Sequence, residues 1–278
     1  MGADKSWCVK WIPFFCTVAQ MNDRYQRVNY QALVDWRTRL TREWPFLERV
    51  LTDAPDRRLL DLGCGPGEHA RLLASHGFDV VGVDASPSMV ETARETEPSA
   101  RFVPGDLADV GALVDGQFGG AICLGNTLPH ITTPDALARL FRGLRQHLLP
   151  GAPVVLQLLN YERIFGTRQR VLPLTLRPSD DGTLVFLRLM DPRPDGRIVF
   201  SPTVLRYRPD AEPSVVLEQS ERVELRGWTR GEVESALGEA GFGTREVFGS
   251  MEFGAYQAGE SQDLVVVARG ESHELQGR

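Results

Sequence analysis

The segment Leu59-Leu60-Asp61-Leu62-Gly63-Cys64-Gly65-Pro66-Gly67 decides the fold of this 278-residue chain. Its apolar start predicts a short buried strand from Arg58 to Leu62, and its glycines predict a tight turn. A helix is expected from Glu68 to about His76, closed by Gly77. Glycines at a strand-to-helix turn adopt positive φ angles and let the backbone approach a ligand closely. The segment therefore predicts a ligand-binding edge of a sheet.

Strands and helices alternate on both sides of this turn. An amphipathic helix is expected upstream, over residues 30–51, with Pro45 kinking or dividing it. Downstream, Ser86 and Pro87 open a helix as N-cap and first residue. Further strands are expected at 78–83, 100–103, 120–124, 153–159, 244–250 and 263–268, with a helix over 134–149. This order predicts an α/β fold with a doubly wound, mostly parallel, seven-stranded sheet.

The pattern changes after Asn160. Strands near 171–176, 183–190, 198–207 and 215–226 are separated by Pro/Asp/Gly turns, which predicts an antiparallel β insertion after the fifth strand. Thr229 and Glu232 then form a capping box for a helix over 230–240. The expected organisation is a poorly ordered extension (1–20), a ligand-binding core (21–159), an insertion that roofs the substrate pocket (160–227), the end of the core (228–270) and a tail (271–278).

Composition excludes several classes of protein. The chain is 42% hydrophobic and 24% charged, which is too apolar for intrinsic disorder, and it lacks a run of about 18 apolar residues that could span a membrane. A net charge of −6 argues against a nucleic-acid-coating surface. Four cysteines without zinc-ligand spacing favour a reducing cytoplasm. We therefore expect a small-molecule partner, no nucleic acid and no membrane, with the oligomeric state left open and a homo-oligomer possible.

Motifs for other chemistries are missing. The five histidines are scattered without metal-ligand spacing, so no metal is expected. There is no G-x-S-x-G elbow of an α/β-hydrolase. Glu68 occupies the place of the third glycine of the dinucleotide fingerprint, which argues against NAD.

Acidic residues follow successive strands after the glycine turn. Asp84 ends the second strand, where its carboxylate can accept two ribose hydroxyls, and Asp106 follows the third. Together with Asp61 and the G-x-G-x-G turn, this pattern resembles the class I S-adenosylmethionine-dependent methyltransferases. The resemblance implies S-adenosyl-L-methionine as cofactor and S-adenosyl-L-homocysteine as product. The cofactor-binding residues it implies are Asp61, Gly63, Cys64, Gly65, Asp84, Ala85, Met89, Asp106, Leu107 and Leu124.

Three further motifs are similar to the glycine/sarcosine N-methyltransferase branch. They are Leu124-Gly125-Asn126-Thr127-Leu128-Pro129-His130, Asn160-Tyr161-Glu162-Arg163-Ile164, and Phe253 with Tyr256. The resemblance also implies that Arg39 binds the cofactor's methionine carboxylate. One departure is Leu159, which stands where the branch has an arginine for the substrate carboxylate. Glycine is therefore a doubtful substrate unless Arg163 or Arg168 takes over that role.

The predicted catalytic residues are Asn126, His130 and Tyr161. A neutral amine needs only alignment, which the Asn126 side-chain oxygen would provide, with Tyr161 in the pocket wall. A hydroxyl nucleophile needs a base, and His130 is the candidate. The expected function is methyl transfer to a small molecule, with an amine nitrogen favoured. The alternatives are an O-methyltransferase that uses His130 as base and a cofactor-binding, non-catalytic subunit.

Overall fold

The computed structural model describes residues 33–270. The expected N-terminal extension and C-terminal tail lie outside the described residues. The strands are β1 (Arg58–Leu62), β2 (Asp79–Asp84), β3 (Arg101–Pro104), β4 (Gly120–Cys123), β5 (Pro153–Leu159), β6 (Thr175–Ser179), β7 (Gly182–Pro192), β8 (Arg197–Tyr207), β9 (Val215–Ser220), β10 (Val223–Arg226), β11 (Phe242–Phe248) and β12 (Asp263–Gly270). The helices are α1 (Trp36–Leu51), α2 (Glu68–Ser75), α3 (Pro87–Thr96), α4 (Val110–Leu113), α5 (Pro134–His147), α6 (Tyr161–Thr167) and α7 (Arg230–Glu239).

The larger sheet has seven strands in the order β11-β12-β5-β4-β1-β2-β3. Strands β1 to β5 are parallel, and β12 runs antiparallel to both of its neighbours. The strand order reverses at β1 and β4, whose carboxyl ends lie side by side. Such a switch point in an open α/β sheet opens a crevice for ligands. The predicted fold class is confirmed.

Both faces of this sheet are buried, because helices cover each of them. Phe141 and Leu144 of α5 pack on one face, while Phe46 and Leu47 of α1 pack on the other. The sequences of these strands are therefore apolar almost throughout, instead of alternating between apolar and polar residues, as is usual for parallel strands buried on both faces. This rigid double layer fixes the strand ends that carry the candidate site.

Local signals in the sequence set most helix ends. Ser86 caps α3 with Pro87 at its first turn, and Thr229 and Glu232 form both bonds of a capping box on α7. The prediction that Pro45 divides the first helix is wrong, because α1 continues through it from Trp36 to Leu51. Its buried residues anchor both halves of the helix to the core, which offsets the loss of one backbone hydrogen bond.

The predicted insertion forms a second, antiparallel sheet in the order β10-β8-β7-β6, with β9 also paired to β8. The Trp228 indole, just before α7, donates a 2.9 Å hydrogen bond to the Ile131 carbonyl after β4. This bond ties the end of the insertion to the carboxyl edge of the larger sheet. Within residues 33–270, no helix has the length and apolar character needed to cross a membrane.

Candidate functional site

The glycine turn between β1 and α2 forms the centre of the carboxyl edge. The Gly63 N–H donates a 2.7 Å hydrogen bond to the Val83 carbonyl, which attaches the turn to the end of β2. Gly63 and Gly65 have positive φ angles, of 71° and 51°. A side chain at Gly63 would collide with Thr127, whereas at Gly65 it would meet no described residue within 4 Å. Gly63 is therefore needed for close packing, and Gly65 leaves open space in front of the turn.

Asp61 presents a buried carboxylate beside this turn. Its residue is only 2% exposed, and among the described residues its Oδ2 atom has no hydrogen-bond partner. Burial raises the pKa of Asp61 to about 6, and the charge of Asp84 adds to this effect, while His69 and Arg39 oppose it. A buried carboxylate oxygen without a donor is costly, so this atom calls for a ligand that donates a hydrogen bond or carries positive charge.

Asp84 closes the other side of the turn. Its two carboxylate oxygens accept hydrogen bonds from the backbone N–H groups of Gly65 and Ser86, each at 2.9 Å. Burial raises the pKa of Asp84, although these two donors counteract it. The residue predicted to bind ribose hydroxyls thus also holds the glycine turn in shape. Each oxygen keeps further acceptor capacity for a ligand.

A buried charge network that the sequence analysis missed lies behind Asp61. Glu43 of α1 is 3% exposed; its Oε1 accepts from Arg39 Nε at 2.9 Å and its Oε2 lies 2.7 Å from His69 Nε2. Burial alone would raise the pKa of Glu43, but His69 and Arg39 outweigh it and lower the pKa. The i,i+4 spacing of Arg39 and Glu43 could have indicated the first pair. Nothing local links either residue to His69.

This network brings the Arg39 guanidinium to the carboxyl edge. A side chain built on Gly125, after β4, would lie 3.1 Å from an Arg39 Nη atom. The guanidinium also lies 5.2 Å from the centre of the Trp36 ring. The arginine predicted to bind a ligand carboxylate is therefore held at the site by Glu43 and Trp36.

The other residues predicted to bind the cofactor differ in their exposure and hydrogen bonding. Ala85 is exposed and Met89 half-buried after β2, while Leu107 and Leu124 are buried at neighbouring strand ends. The exposed Asp106 accepts a 2.9 Å hydrogen bond from the Ala108 N–H and so caps the turn after β3.

Cys64 contributes to the turn only through its backbone. Its side chain is buried beside Gly82 and Phe102 in the core, and burial raises the pKa of its thiol. The thiol therefore does not face the open space in front of the turn.

The side-chain oxygen of Asn126, predicted to align an amine, has two donors within the protein. Its Oδ1 already accepts hydrogen bonds from the Leu159 N–H at 3.0 Å and from the Tyr161 hydroxyl at 3.1 Å. Since a carbonyl oxygen has two lone pairs, none remains to orient an amine. Asn126 instead joins the ends of β4 and β5, and its positive φ of 66° suits asparagine at this turn.

Tyr161 is likewise a structural neighbour of the site rather than its wall. It is 1% exposed, and burial raises the pKa of its phenol. Its hydroxyl is used by Asn126, so the side chain supports the turn after β4 from behind.

His130 ends a short 3-10 turn after β4 (Leu128–His130) and is exposed. Even so, the surrounding protein desolvates the imidazole and lowers its pKa to about 4. The ring is therefore neutral at pH 7 and a weak base.

Arg163 and Arg168 are the candidate replacements for the arginine whose place Leu159 takes, and neither lies at the position of Leu159. Leu159 is half-buried at the end of β5. Arg163 on α6 donates a 3.0 Å hydrogen bond to Gln262 Oε1. Arg168 lies at the far end of α6, on an open surface cavity of about 840 Å³ that Arg226 and Glu232 also line. Neither arginine stands where Leu159 does.

Two motifs that are distant in sequence meet at the start of α6. Asn160 is fully buried and caps this helix; its Nδ2 donates to the carbonyls of Ala258 and Ser261, each at 2.9 Å. The Tyr256 hydroxyl donates to Asn160 Oδ1 at 2.9 Å. The loop before β12 is thereby fastened to the edge of the site. In the described part of the chain, no group of acidic, histidine and cysteine side chains could hold a metal ion.

Residues 59–151 match the family model described as a methyltransferase domain. A glycine/sarcosine N-methyltransferase from Parasynechococcus marenigrum is 30% identical over 155 residues, which are 53% of this chain and 52% of that protein. The chain thus spans about half the length of the curated relatives it matches.

Solved structures resemble nearly the whole chain. An S-adenosylmethionine-dependent methyltransferase from Clostridium acetobutylicum superposes with a TM-score of 0.69 at 15% identity, covering 90% of this chain and 97% of that one. A sugar N-methyltransferase from a Streptoalloteichus species has a TM-score of 0.65 at 21% identity, covering 98% and 100%. At such identities the likeness concerns the fold.

Proposed function

Because the chain contains a methyltransferase domain within the fold of the class I S-adenosylmethionine-dependent methyltransferases, we propose that it transfers a methyl group from S-adenosylmethionine to a small-molecule amine. The observation that carries the proposal is the buried Oδ2 of Asp61 beside the glycine turn, which has no hydrogen-bond partner among residues 33–270. A ligand with an ammonium group satisfies this atom, and the cofactor's methionine moiety has one.

The residues at the carboxyl edge fit this cofactor. Asp61 would bind the ammonium group, Arg39 the carboxylate and Asp84 the ribose hydroxyls. Because Gly65 has no side chain, the cofactor could approach the backbone of the turn closely. When bound, S-adenosylmethionine supplies an electrophilic methyl group on a sulfonium. The chain's own contribution is to position the acceptor and exclude water, which can account for much of the acceleration of a displacement reaction.

The state of His130 supports nitrogen over oxygen as the acceptor atom. A hydroxyl acceptor must lose its proton to a base, and an imidazole whose pKa is lowered to about 4 is a poor one at pH 7. A neutral amine requires no such base before transfer.

The surroundings of Leu159 support an acceptor other than glycine. The backbone N–H of Leu159 is used by Asn126, and its side chain cannot bind a carboxylate. One Nη atom of Arg163 donates to Gln262, and its Nε atom is buried. We therefore propose an amine without a carboxylate next to the nitrogen, and amino sugars are the first class to test, given the sugar N-methyltransferase among the structural neighbours.

Calorimetric titration of the Asp84→Asn protein tests the cofactor site. Asparagine has one acceptor oxygen instead of two, so the hydrogen bonds to a ribose are weakened and the Kd for S-adenosylmethionine should rise by roughly 10- to 100-fold. Asp79→Asn at the opposite end of β2 is the matched control and should bind like the wild type. Wild-type affinity in Asp84→Asn would contradict the assignment of this site.

A second experiment separates the acceptor classes. The wild type is incubated with S-adenosylmethionine and a panel of amino sugars, glycine, simple amines and phenols, and S-adenosylhomocysteine is measured. Turnover is expected with amines that lack a carboxylate and should persist in His130→Ala. Turnover with phenols alone, lost in His130→Ala, would favour O-methylation. Tight cofactor binding without any turnover would favour a non-catalytic subunit.

A further inference from the structure

The antiparallel sheet of β6 to β10 has two faces with different surroundings. Four apolar residues at even positions of β7 and β8 pack inward and are at most 7% exposed: Phe186, Met190, Ile198 and Val204. Because side chains alternate along a strand, the odd positions share the opposite face, which we call the outer face.

A continuous apolar row crosses the outer face on four strands. Leu176 of β6 pairs with Val185 of β7, Val185 with Leu205 of β8, and Leu205 with Leu217 of β9. The two ends of the row, Leu176 and Leu217, are 56% and 60% exposed within the described structure. A sheet with one such apolar face normally buries it against another layer.

Neighbouring pairs widen the row into a patch. Tyr207 and Val215 are paired on one side of it, and Leu189 and Val171 further along; all four are 39–48% exposed. Together with Leu176 and Leu217 they expose roughly 500 Å² of mostly apolar surface, which lies at the upper range for monomers and approaches one partner's share of a standard interface.

Among the described residues, no charged side chain belongs to the apolar row itself. Charged residues flank it in pairs: Arg206 with Glu218, Arg208 with Asp181 and, toward the turn between β7 and β8, Arg197 with Glu224. In the next row, Thr203 and Ser220 bond each other. A chain with a net charge of −6 repels its own copies over most of its surface, but not here.

We infer that the outer face is the contact surface between two copies of the chain, packed sheet against sheet. A twofold contact needs a surface complementary to itself, and a neutral apolar sheet face meets that condition without any charge pairing. A different protein partner would be expected to match a patterned surface of charges, which the centre of this face lacks. The inference does not depend on the methyltransferase proposal.

Sedimentation of the full-length protein tests the dimer. The wild type is expected at twice the chain mass of 30.9 kDa at micromolar concentration. Leu217→Glu would bury a carboxylate in the interface and should raise the dimer dissociation constant by about 100-fold or more. Leu176→Glu, at the other end of the row, should act in the same direction.

Val216→Glu is the matched control, because Val216 is the neighbour of Leu217 on the same strand and belongs to the opposite face. It should remain dimeric. Circular dichroism and cofactor titration show that each variant is folded. A wild-type monomer at tens of micromolar would overturn the inference, even if the chain's own terminal residues were then found to cover the face. Equal dimer stability in Leu217→Glu and the wild type would overturn it too.

Discussion

At the scale of single residues, the polar side chains of the candidate site differ in how many hydrogen-bond partners the protein itself gives them. Asp84 and Asn126 both have their oxygens engaged by backbone or side-chain donors, and they shape the turns after β2 and β4. Asp61 Oδ2 has no donor among the described residues. Among these three, Asp61 therefore responds most strongly to a ligand.

The raised pKa of Asp61 predicts a pH dependence of cofactor affinity. With a folded pKa of about 6 against an ordinary 3.8, Asp61 contributes stability to the ligand-free protein below pH 4, and this contribution is lost as the pH rises through 6. Binding an ammonium group requires the ionised carboxylate. Affinity should therefore fall below pH 6, by up to about tenfold per pH unit, as measured by calorimetry between pH 5 and pH 7.

Asp61→Asn should remove this pH dependence and weaken binding at pH 7.5, since an amide cannot pair with the ammonium. At pH 7.5 the ligand-free variant should unfold at a higher temperature than the wild type, because it no longer buries a charge. Asp115→Asn, at a highly exposed carboxylate, is the control. Wild-type affinity of Asp61→Asn at pH 7.5 would contradict the role of Asp61.

At the scale of elements, the site depends on how two neighbouring helices on one face of the sheet are joined. Glu43 connects α1 to α2 through His69, and in doing so holds Arg39 at the carboxyl edge. Trp36 contacts the His69 ring edge-on, with centroids 5.8 Å apart. These contacts fix where α1 lies relative to the glycine turn, and thereby where the guanidinium stands.

Glu43→Gln tests Glu43 as a positioning residue. The amide is uncharged and has one acceptor oxygen in place of two, so its bond to the Arg39 guanidinium is no longer charge-assisted on both sides. The KM for S-adenosylmethionine should rise about tenfold while kcat changes less than twofold, because the chemistry at the acceptor is untouched. Glu48→Gln, exposed on the same helix, should match the wild type. A fall in kcat with unchanged KM would argue against positioning.

At the scale of the whole molecule, the two sheets share a core. The buried cluster that includes Phe141 and Leu156 extends into the antiparallel sheet through Met190, Ile198 and Leu225. The antiparallel sheet is therefore connected to the larger sheet by packing as well as by the Trp228 hydrogen bond. Binding at the edge should stabilise the described chain as one unit.

Thermal unfolding measures this stabilisation. S-adenosylhomocysteine at 100 times its Kd should stabilise the native state by about 2.7 kcal/mol, which raises Tm by roughly 5 °C for a chain of this size. NAD at the same concentration should leave Tm unchanged, because Glu68 replaces the third fingerprint glycine. A shift with NAD and none with the adenosyl compound would contradict the proposed cofactor.

The sequence by itself determined the order of elements, the glycine turn and the helix caps. These follow from periodicity and from short-range chemistry, such as Ser86 and Thr229 accepting backbone N–H groups three residues away. It also indicated that Asp61, Asp84 and Asp106 follow successive strands, because the carboxyl ends of parallel strands meet at one edge.

Only the tertiary structure decided what each site atom can still do. The oxygen of Asn126 is consumed by donors 33 and 35 residues away, and Glu43 is held by His69 across 26 residues. Desolvation by the surrounding protein shifts the pKa values of His130 and Asp61, and strand register gathers Leu176 and Leu217 into one exposed face. Such contacts join residues far apart in the chain, so no local pattern records them, and desolvation depends on everything that packs around a group.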